Sequence, residues 1–214
     1  MWGTVLKRDL LGETREEDKF YTREKLQEYL KSEIEKQGEN VVIRNLDVSR
    51  ITDLSDLFYG YNSIKTLDIS GWNTSEVNNI AGMFYNCEKL ETLDISGWDL
   101  SNVKDMAWVF WGCRNLESLN LSDWDTSSVK TMHSMFSGCA GLKSLNLSGW
   151  NTSNVEDTGY MFWNCYHLES LDISGWDTSN IKDMTAMFRN CPAAYGVEVL
   201  KKRYKGTKIC GEQF

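Results

Sequence analysis

Proline is almost missing from this chain, with 1 residue in 214. That excludes Pro-rich linkers and polyproline spacers. No apolar run reaches the ~18 residues that a membrane-spanning helix needs, so no membrane insertion is expected. The start, Met1-Trp2-Gly3-Thr4-Val5-Leu6-Lys7-Arg8-Asp9, lacks the apolar core and cleavage site of a signal peptide, and neither a lipobox nor a wall-sorting tail is present. Basic residues are in deficit: 23 Lys and Arg face 31 Asp and Glu, for a net charge of −8. A nucleic-acid backbone is thereby excluded as the general partner, because phosphate binding needs an excess of cations on one face. The single basic run, Lys201-Lys202-Arg203-Tyr204-Lys205, reads as a solvated end cap. Motifs that carry chemistry are missing too. The two histidines, His133 and His167, occupy unrelated positions, and the chain has no Cys-x-x-Cys, phosphate loop or nucleophile elbow. No catalytic residue, metal or cofactor is expected, and the reading is of a protein that is not an enzyme.

What is present is a repeat. The phrase Leu67-Asp68-Ile69-Ser70-Gly71-Trp72 returns, with small changes, at 93–98, 119–124, 145–150 and 171–176, each step being 26 residues with no insertion. A fixed period of this length signals a solenoid, in which stacked units share one core. Between Cys87 and Trp98, the apolar residues Leu90, Leu93 and Ile95 follow the leucine-rich-repeat pattern, with Trp98 where Asn normally stands. Leu93-Asp94-Ile95 alternates as a half-buried strand does, and stacking such strands ~4.8 Å apart gives a parallel sheet. Val77, Val103, Val129, Val155 and Ile181 are expected to point inward. Met106, Val109, Phe110, Cys113 and Leu116 fit one face of a short helix. The residue before it, Asp105, has the counterparts Asn79, Thr131, Asp157 and Asp183, all helix N-cap types.

The expected fold is therefore an α/β solenoid, a right-handed leucine-rich-repeat-like stack of six 26-residue coils, with a parallel sheet on one face and short helices on the other. Residues 1–40 form an N-terminal cap with a helix over about 22–37, signalled by Leu26, Tyr29, Leu30 and Ile34 between Thr22 and Gly38. Residues 41–196 form the coils, and 197–214 a cap strand with a polar tail.

A fixed period stacks like on like. Trp72, Trp98, Trp124, Trp150 and Trp176 form one expected column, and Phe58, Phe84, Phe110, Phe136, Phe162 and Phe188 a second. Cys87, Cys113, Cys139, Cys165 and Cys191 form a third, read as reduced core thiols because Tyr61 fills the same slot in the first coil. Cys210 lies outside the column and reads as a free thiol. A recognition surface has to vary between coils, and variation concentrates beside the expected helices. The candidate protein-binding residues there are Tyr85, Trp108, Trp111, Tyr160, Trp163, Tyr166 and Arg189. Trp108 with Trp111, and Tyr160 with Trp163, are spaced to share a helix face. They either pack between neighbouring helices or form an exposed patch.

The stretch from Leu171 to Cys191, Leu-Asp-Ile-Ser-Gly-Trp-Asp-Thr-Ser-Asn-Ile-Lys-Asp-Met-Thr-Ala-Met-Phe-Arg-Asn-Cys, resembles the repeat of BspA-like bacterial surface proteins, grouped with mycoplasma-lipoprotein-type repeats of unknown function. The resemblance covers about residues 41–196, and Thr22 to Tyr59 is similar to the leader that precedes such repeats. It implies a leucine-rich-repeat-like solenoid, displayed on a bacterial surface and adhesive towards other proteins, with no catalytic residues. The sequence thus supports an adhesin-like interaction module first, a spacer that holds another domain away from a surface second, and an enzyme or metal protein last. A protein partner is expected, and the chain is either a monomer or an end-to-end dimer through its terminal strands. The resemblance implies a cell-surface or secreted location, whereas the missing export signals suit a cytoplasmic chain or a mature fragment trimmed of them.

Overall fold

The computed structural model describes Phe20 and residues 22–193. The expectations for the first residues, the strand at 197–199, the polar tail, the basic run and Cys210 lie outside the described residues.

Helix α1 spans Arg23–Gln37. Thr22 is extended, and its hydroxyl accepts the Lys25 amide at 3.3 Å, which satisfies one free donor of the first turn. The helix stops at Gly38, left-handed at φ 73°, whose N–H bonds the Ile34 carbonyl at 2.9 Å. Leu26, Leu30 and Ile34 form its buried stripe and join the same core as Val41 and Leu46.

Five strands follow, each three residues long: β1 Asn40–Val42, β2 Thr66–Asp68, β3 Thr92–Asp94, β4 Ser144–Asn146 and β5 Ser170–Asp172. All pairs are parallel and 26 residues apart, as in Asn40↔Thr66, Thr66↔Thr92 and Ser144↔Ser170. They form two small sheets, β1-β2-β3 and β4-β5. The segment between them, 118–120, pairs with neither. The architecture is α+β, one N-terminal helix followed by short parallel strands in small sheets, consistent with a solenoid-like repeat.

The short helices expected over 106–116 and its equivalents do not form. Each repeat instead carries a series of tight turns, at 55–60, 81–86, 107–112, 133–138, 159–164 and 185–190. The second residue of each series is left-handed: Asp56, Gly82, Trp108, Ser134, Tyr160 and Ala186, with φ between 48° and 63°. So is the last: Gly60, Asn86, Gly112, Gly138, Asn164 and Asn190, with φ between 59° and 75°. A left-handed residue reverses the local twist, so a continuous right-handed helix cannot propagate through it.

The amides of this stretch alternate in what they do. The Trp111 N–H bonds the Trp108 carbonyl at 3.0 Å and the Cys113 N–H bonds that of Phe110 at 3.1 Å, closing local turns. Between them, the N–H groups of Met106, Trp108, Phe110 and Gly112 reach the next repeat, at the Thr131, His133, Met135 and Ser137 carbonyls, over 2.8 to 3.0 Å. The same four rungs recur between all successive repeats from Asp53 to Asp183, accompanied by bridges Asp53↔Asn79, Asn79↔Asp105, Asp105↔Thr131, Thr131↔Asp157 and Asp157↔Asp183. The buried backbone of the turn side is satisfied by its neighbours rather than by itself. The expected N-cap residues are reassigned accordingly. Asp105 accepts the Ala107 amide at 2.9 Å and Asp157 the Gly159 amide at 2.8 Å, each shaping a turn instead of opening a helix.

Side chains stack on this frame. Phe58, Phe84, Phe110, Phe136, Phe162 and Phe188 form an unbroken column, with centroids 5.5 to 5.6 Å apart and planes within 15°. The expected Trp column is broken: Trp72 stacks on Trp98 at 5.8 Å and Trp124 on Trp150 at 6.2 Å, with no such stacking between Trp98 and Trp124 or between Trp150 and Trp176. Four indole N–H groups bond a carbonyl of the preceding repeat: Trp72 to Ile43, Trp98 to Ile69, Trp150 to Leu121 and Trp176 to Leu147, over 2.6 to 3.2 Å. Val77, Val103, Val129 and Val155 are buried, and Ile181 is half-buried.

Replacing Phe110 with Ala removes a ring from the middle of the Phe column, where it is 0% exposed. Urea unfolding is expected to show a loss of about 3–5 kcal/mol. A loss under about 1 kcal/mol, the surface range, would show that the column is not a packed core.

Candidate functional site

The turn series leaves one flank of each repeat facing outward, and this flank collects the exposed aromatic residues. Tyr59, Tyr85 and Trp111 stack in a row, Tyr59 on Tyr85 at 5.0 Å and Tyr85 on Trp111 at 4.5 Å. Tyr59 is 57% exposed, while Tyr85 and Trp111 are half-buried. Beside this row, Trp108 and Tyr160 meet His133 edge-on from either side, at 5.6 and 5.7 Å. Trp163 lies perpendicular to Tyr160 at 6.3 Å. Trp108 is 42% and Tyr160 36% exposed. His133 Nδ1 lies 3.2 Å from an Asp157 carboxylate oxygen, which holds the imidazole between the two rings.

The structure thus brings together Tyr85 with Trp111, and Tyr160 with Trp163. Trp108 and Tyr160 are joined through His133. Tyr166 and Arg189 are exposed, and among the described residues no ring contact joins either of them to the group. Trp108 and Trp111 do not share a helix face; they are linked by a turn whose first residue is left-handed. Ser134 and Ser137, both buried, occupy the corresponding positions of the middle repeat and divide the aromatic flank in two. The Ser137 hydroxyl is a buried polar atom with no partner. Sequence reasoning left Tyr59 and His133 out of the candidate group. Tyr59 was legible as a member of the Tyr85 and Trp111 slot, whereas His133 sits one residue before the variable slot, and only the turn geometry brings it between its neighbours.

The strand acids perform no paired acid–base arrangement. Asp94 and Asp172 each accept the amide two residues on, from Ser96 and Ser174 at 3.0 and 2.9 Å, and Asn120 and Asn146 do the same for Ser122 and Ser148. Asp68 also receives Arg44. Among the described residues, no group of three or more His, Cys, Asp and Glu is placed to hold a metal ion, and no helix is long and apolar enough to cross a membrane.

The cysteines lie behind the turn series. Cys87, Cys113, Cys139 and Cys165 are buried and free, and their Sγ atoms lie 3.0 to 3.2 Å from the carbonyls of Phe58, Phe84, Phe110 and Phe136. A thiol donates in that geometry, and a thiolate could not. Burial pushes the Cys87 thiol from its ordinary 9.0 up to about 12, and burial likewise holds Cys113, Cys139 and Cys165 well above the ordinary value. Nucleophilic chemistry needs the thiolate, so this column is packing material.

Comparison with known proteins places the chain in a family. The family model described as "Mycoplasma protein of unknown function, DUF285" matches residues 26–120 and 86–197. The chain belongs to this family. No curated protein matches it. Among solved structures, a leucine-rich repeat protein from Bacteroides ovatus ATCC 8483 is similar, with 23% identity over 60% of this chain and a TM-score of 0.26. The aligned part spans 43% of that protein's length.

The thiol column makes stability pH-dependent. Unfolded cysteines ionise near 9.0, whereas folded Cys87 does so at about 12. The contribution is fully present below pH 9 and is lost as pH rises from about 9 towards 12. Urea midpoints are expected to fall between pH 8.5 and 10.5, and to fall less in Cys87→Ala. Equal slopes in the two proteins would contradict the assignment.

Proposed function

We propose that this protein is a non-enzymatic interaction module that binds a partner protein through the aromatic flank of its turn side. In this reading, residues 41–196 form a right-handed solenoid of six 26-residue coils, capped by 1–40 and 197–214. The observation that carries the proposal is the pair Trp108 and Tyr160. Both are left-handed and substantially exposed. A non-glycine residue in that conformation costs roughly 1–2 kcal/mol, which Asp56, Ser134 and Ala186 bear in this slot without a ring and Gly82 avoids. Large rings that the slot does not require, left more than a third exposed, are explained by what they touch outside the chain. Trp and Tyr are also the residue types on which interface energy concentrates.

We read the wording of the repeat as BspA-like, which favours display on a bacterial surface and an adhesive role. The binding group comprises Trp108, Trp111, Tyr160 and Trp163, with Tyr85, Tyr166 and Arg189 around it. The partner is a protein rather than a nucleic acid, and the module acts as a monomer or an end-to-end dimer.

The test is a Trp108→Gly/Tyr160→Gly double variant, screened beside the parent chain against panels of extracellular and cytosolic proteins. Glycine suits both backbone positions, which offsets part of the ring packing lost against His133 and Trp163, so the variant is expected to stay folded. A partner bound by the parent and lost at least tenfold by the variant is the expected result. A partner bound equally by both would place binding on another face of the module, and no partner on either panel would move the assignment to a spacer.

A further inference from the structure

Successive repeats are tied together on both sides of the stack, except along one line. Between residues 92–103 and 118–129 the strand-side ties are missing. Elsewhere, the Ile43, Ile69 and Leu147 amides bond the Asp68, Asp94 and Asp172 carbonyls at 2.7 to 3.0 Å, and Asn45 and Gly71 bond Ser70 and Ser96 at 2.9 and 2.8 Å. Among the described residues, the amides of Ile95 and Gly97 have no such bond, and segment 118–120 is left out of both sheets. The Leu121, Asp123 and Gly149 amides lack theirs too, but those junctions keep the Trp150 and Trp176 indole bonds and the Thr126 and Thr152 hydroxyl bonds, so only between 92–103 and 118–129 is every strand-side tie lost. Trp98 and Trp124 do not stack, nor do Trp150 and Trp176, but of the five tryptophans Trp124 alone lacks the indole bond, its N–H not reaching the Ile95 carbonyl. A cleft of about 80 Å³ lies at this place, lined by Asp94, Ile95, Gly97, Asn120 and Trp124.

Three residues depart from their counterparts at the gap. Asp123 stands where Gly71 and Gly97 are left-handed, with φ of 68° and 79°. It does not adopt that conformation, and neither do Gly149 and Gly175 after it, so from this repeat onward the corner has another form. The Trp124, Trp150 and Trp176 amides now bond carbonyls three residues back, at 3.3, 3.1 and 3.1 Å, which those of Trp72 and Trp98 do not. Leu100 stands where the hydroxyls of Thr74, Thr126 and Thr152 bond the next repeat's Asp99, Asn151 and Asp177 carbonyls, so no bond reaches Asp125. Ser128 stands where Asn102, Asn154 and Asn180 reach back to the Ser75, Ser127 and Ser153 carbonyls, so no bond reaches Ser101. On the turn side, the four rungs from Met106, Trp108, Phe110 and Gly112 cross this line intact, and Phe110 stacks on Phe136 at 5.5 Å.

We infer that this line is a built-in hinge. The turn-side ladder is the axis, and the unbonded Trp corner is the edge that opens. Each repeat is held chiefly by its neighbours, so removing the ties on one edge lets two blocks, one ending near 118 and one starting near 119, tilt about the other edge. Trp108 with Trp111 and Tyr160 with Trp163 lie on opposite sides of the middle repeat. Tilting changes the angle between the two halves of the aromatic flank, a means of fitting a partner's curvature. The hinge itself does not depend on that flank binding anything.

The test is native-state hydrogen exchange on the whole chain, read at single residues by NMR. The Ile95 and Gly97 amides and the Trp124 indole are expected to exchange at least 100-fold faster than their counterparts Ile69, Gly71 and Trp98. The Leu100→Thr/Asp123→Gly/Ser128→Asn variant restores the missing groups and is expected to slow Ile95 and Gly97 at least tenfold, leaving Ile69 unchanged. Equal protection of the two sets in the parent chain would overturn the hinge, even where the variant failed to fold. Unchanged exchange in a folded variant would overturn the assignment to these three residues.

Discussion

The structure depends on one backbone interaction: on the turn side, alternate N–H groups bond the carbonyl of the residue 25 positions further on, as Phe110 does with Met135. Buried amides require partners. A chain that turns every few residues cannot supply them from within, and a copy of itself one repeat away can. This demand fixes the rest. It requires a repeat of constant length, since one inserted residue would exchange the amides that reach across for those that close local turns. It requires left-handed residues at two places per repeat, because only the alternation of hand points every second amide along the stack. It also brings equivalent side chains into contact, which makes the Phe column continuous and places each of four cysteine sulfurs against a Phe carbonyl.

Much of this was legible in the sequence. The 26-residue step gives the register of every paired strand. Thr22 and Gly38 bound α1 because a hydroxyl acceptor and a left-handed glycine have the same meaning at any helix end. The turn side was misread for an identifiable reason. Met106, Val109, Phe110 and Cys113 are all buried, and their spacing suits a helix and a series of tight turns equally well. Periodicity reports which residues face the core and not the hand of the residues between them. The signals that would have separated the two were the glycines and asparagines at 60, 86, 112, 138, 164 and 190, which mark left-handed positions when read as a column. Asp105 and its counterparts were recognised as amide acceptors, but a turn and a helix start ask for the same side chains.

The candidate site was legible in part for the same reason. Trp108 and Tyr160 were picked out because they vary where the core does not, and both are exposed. His133 was missed because its neighbours come from adjacent repeats. The hinge line could not have been seen in any one residue. Leu100, Asp123 and Ser128 look like ordinary variation, and only the bonds that their counterparts make show that all three act on the same edge.

The account rests on the hand of the turn-side residues, and three-bond HN–Hα couplings with ¹³C shifts over residues 105–116 measure it directly. The predicted result is left-handed values at Trp108 and Gly112, repeated at Ser134, Gly138, Tyr160 and Asn164, with α1 as the only continuous helical run among the described residues. An unbroken run of right-handed helical shifts from 106 to 116 would contradict it, and with it the ladder on which the stack depends.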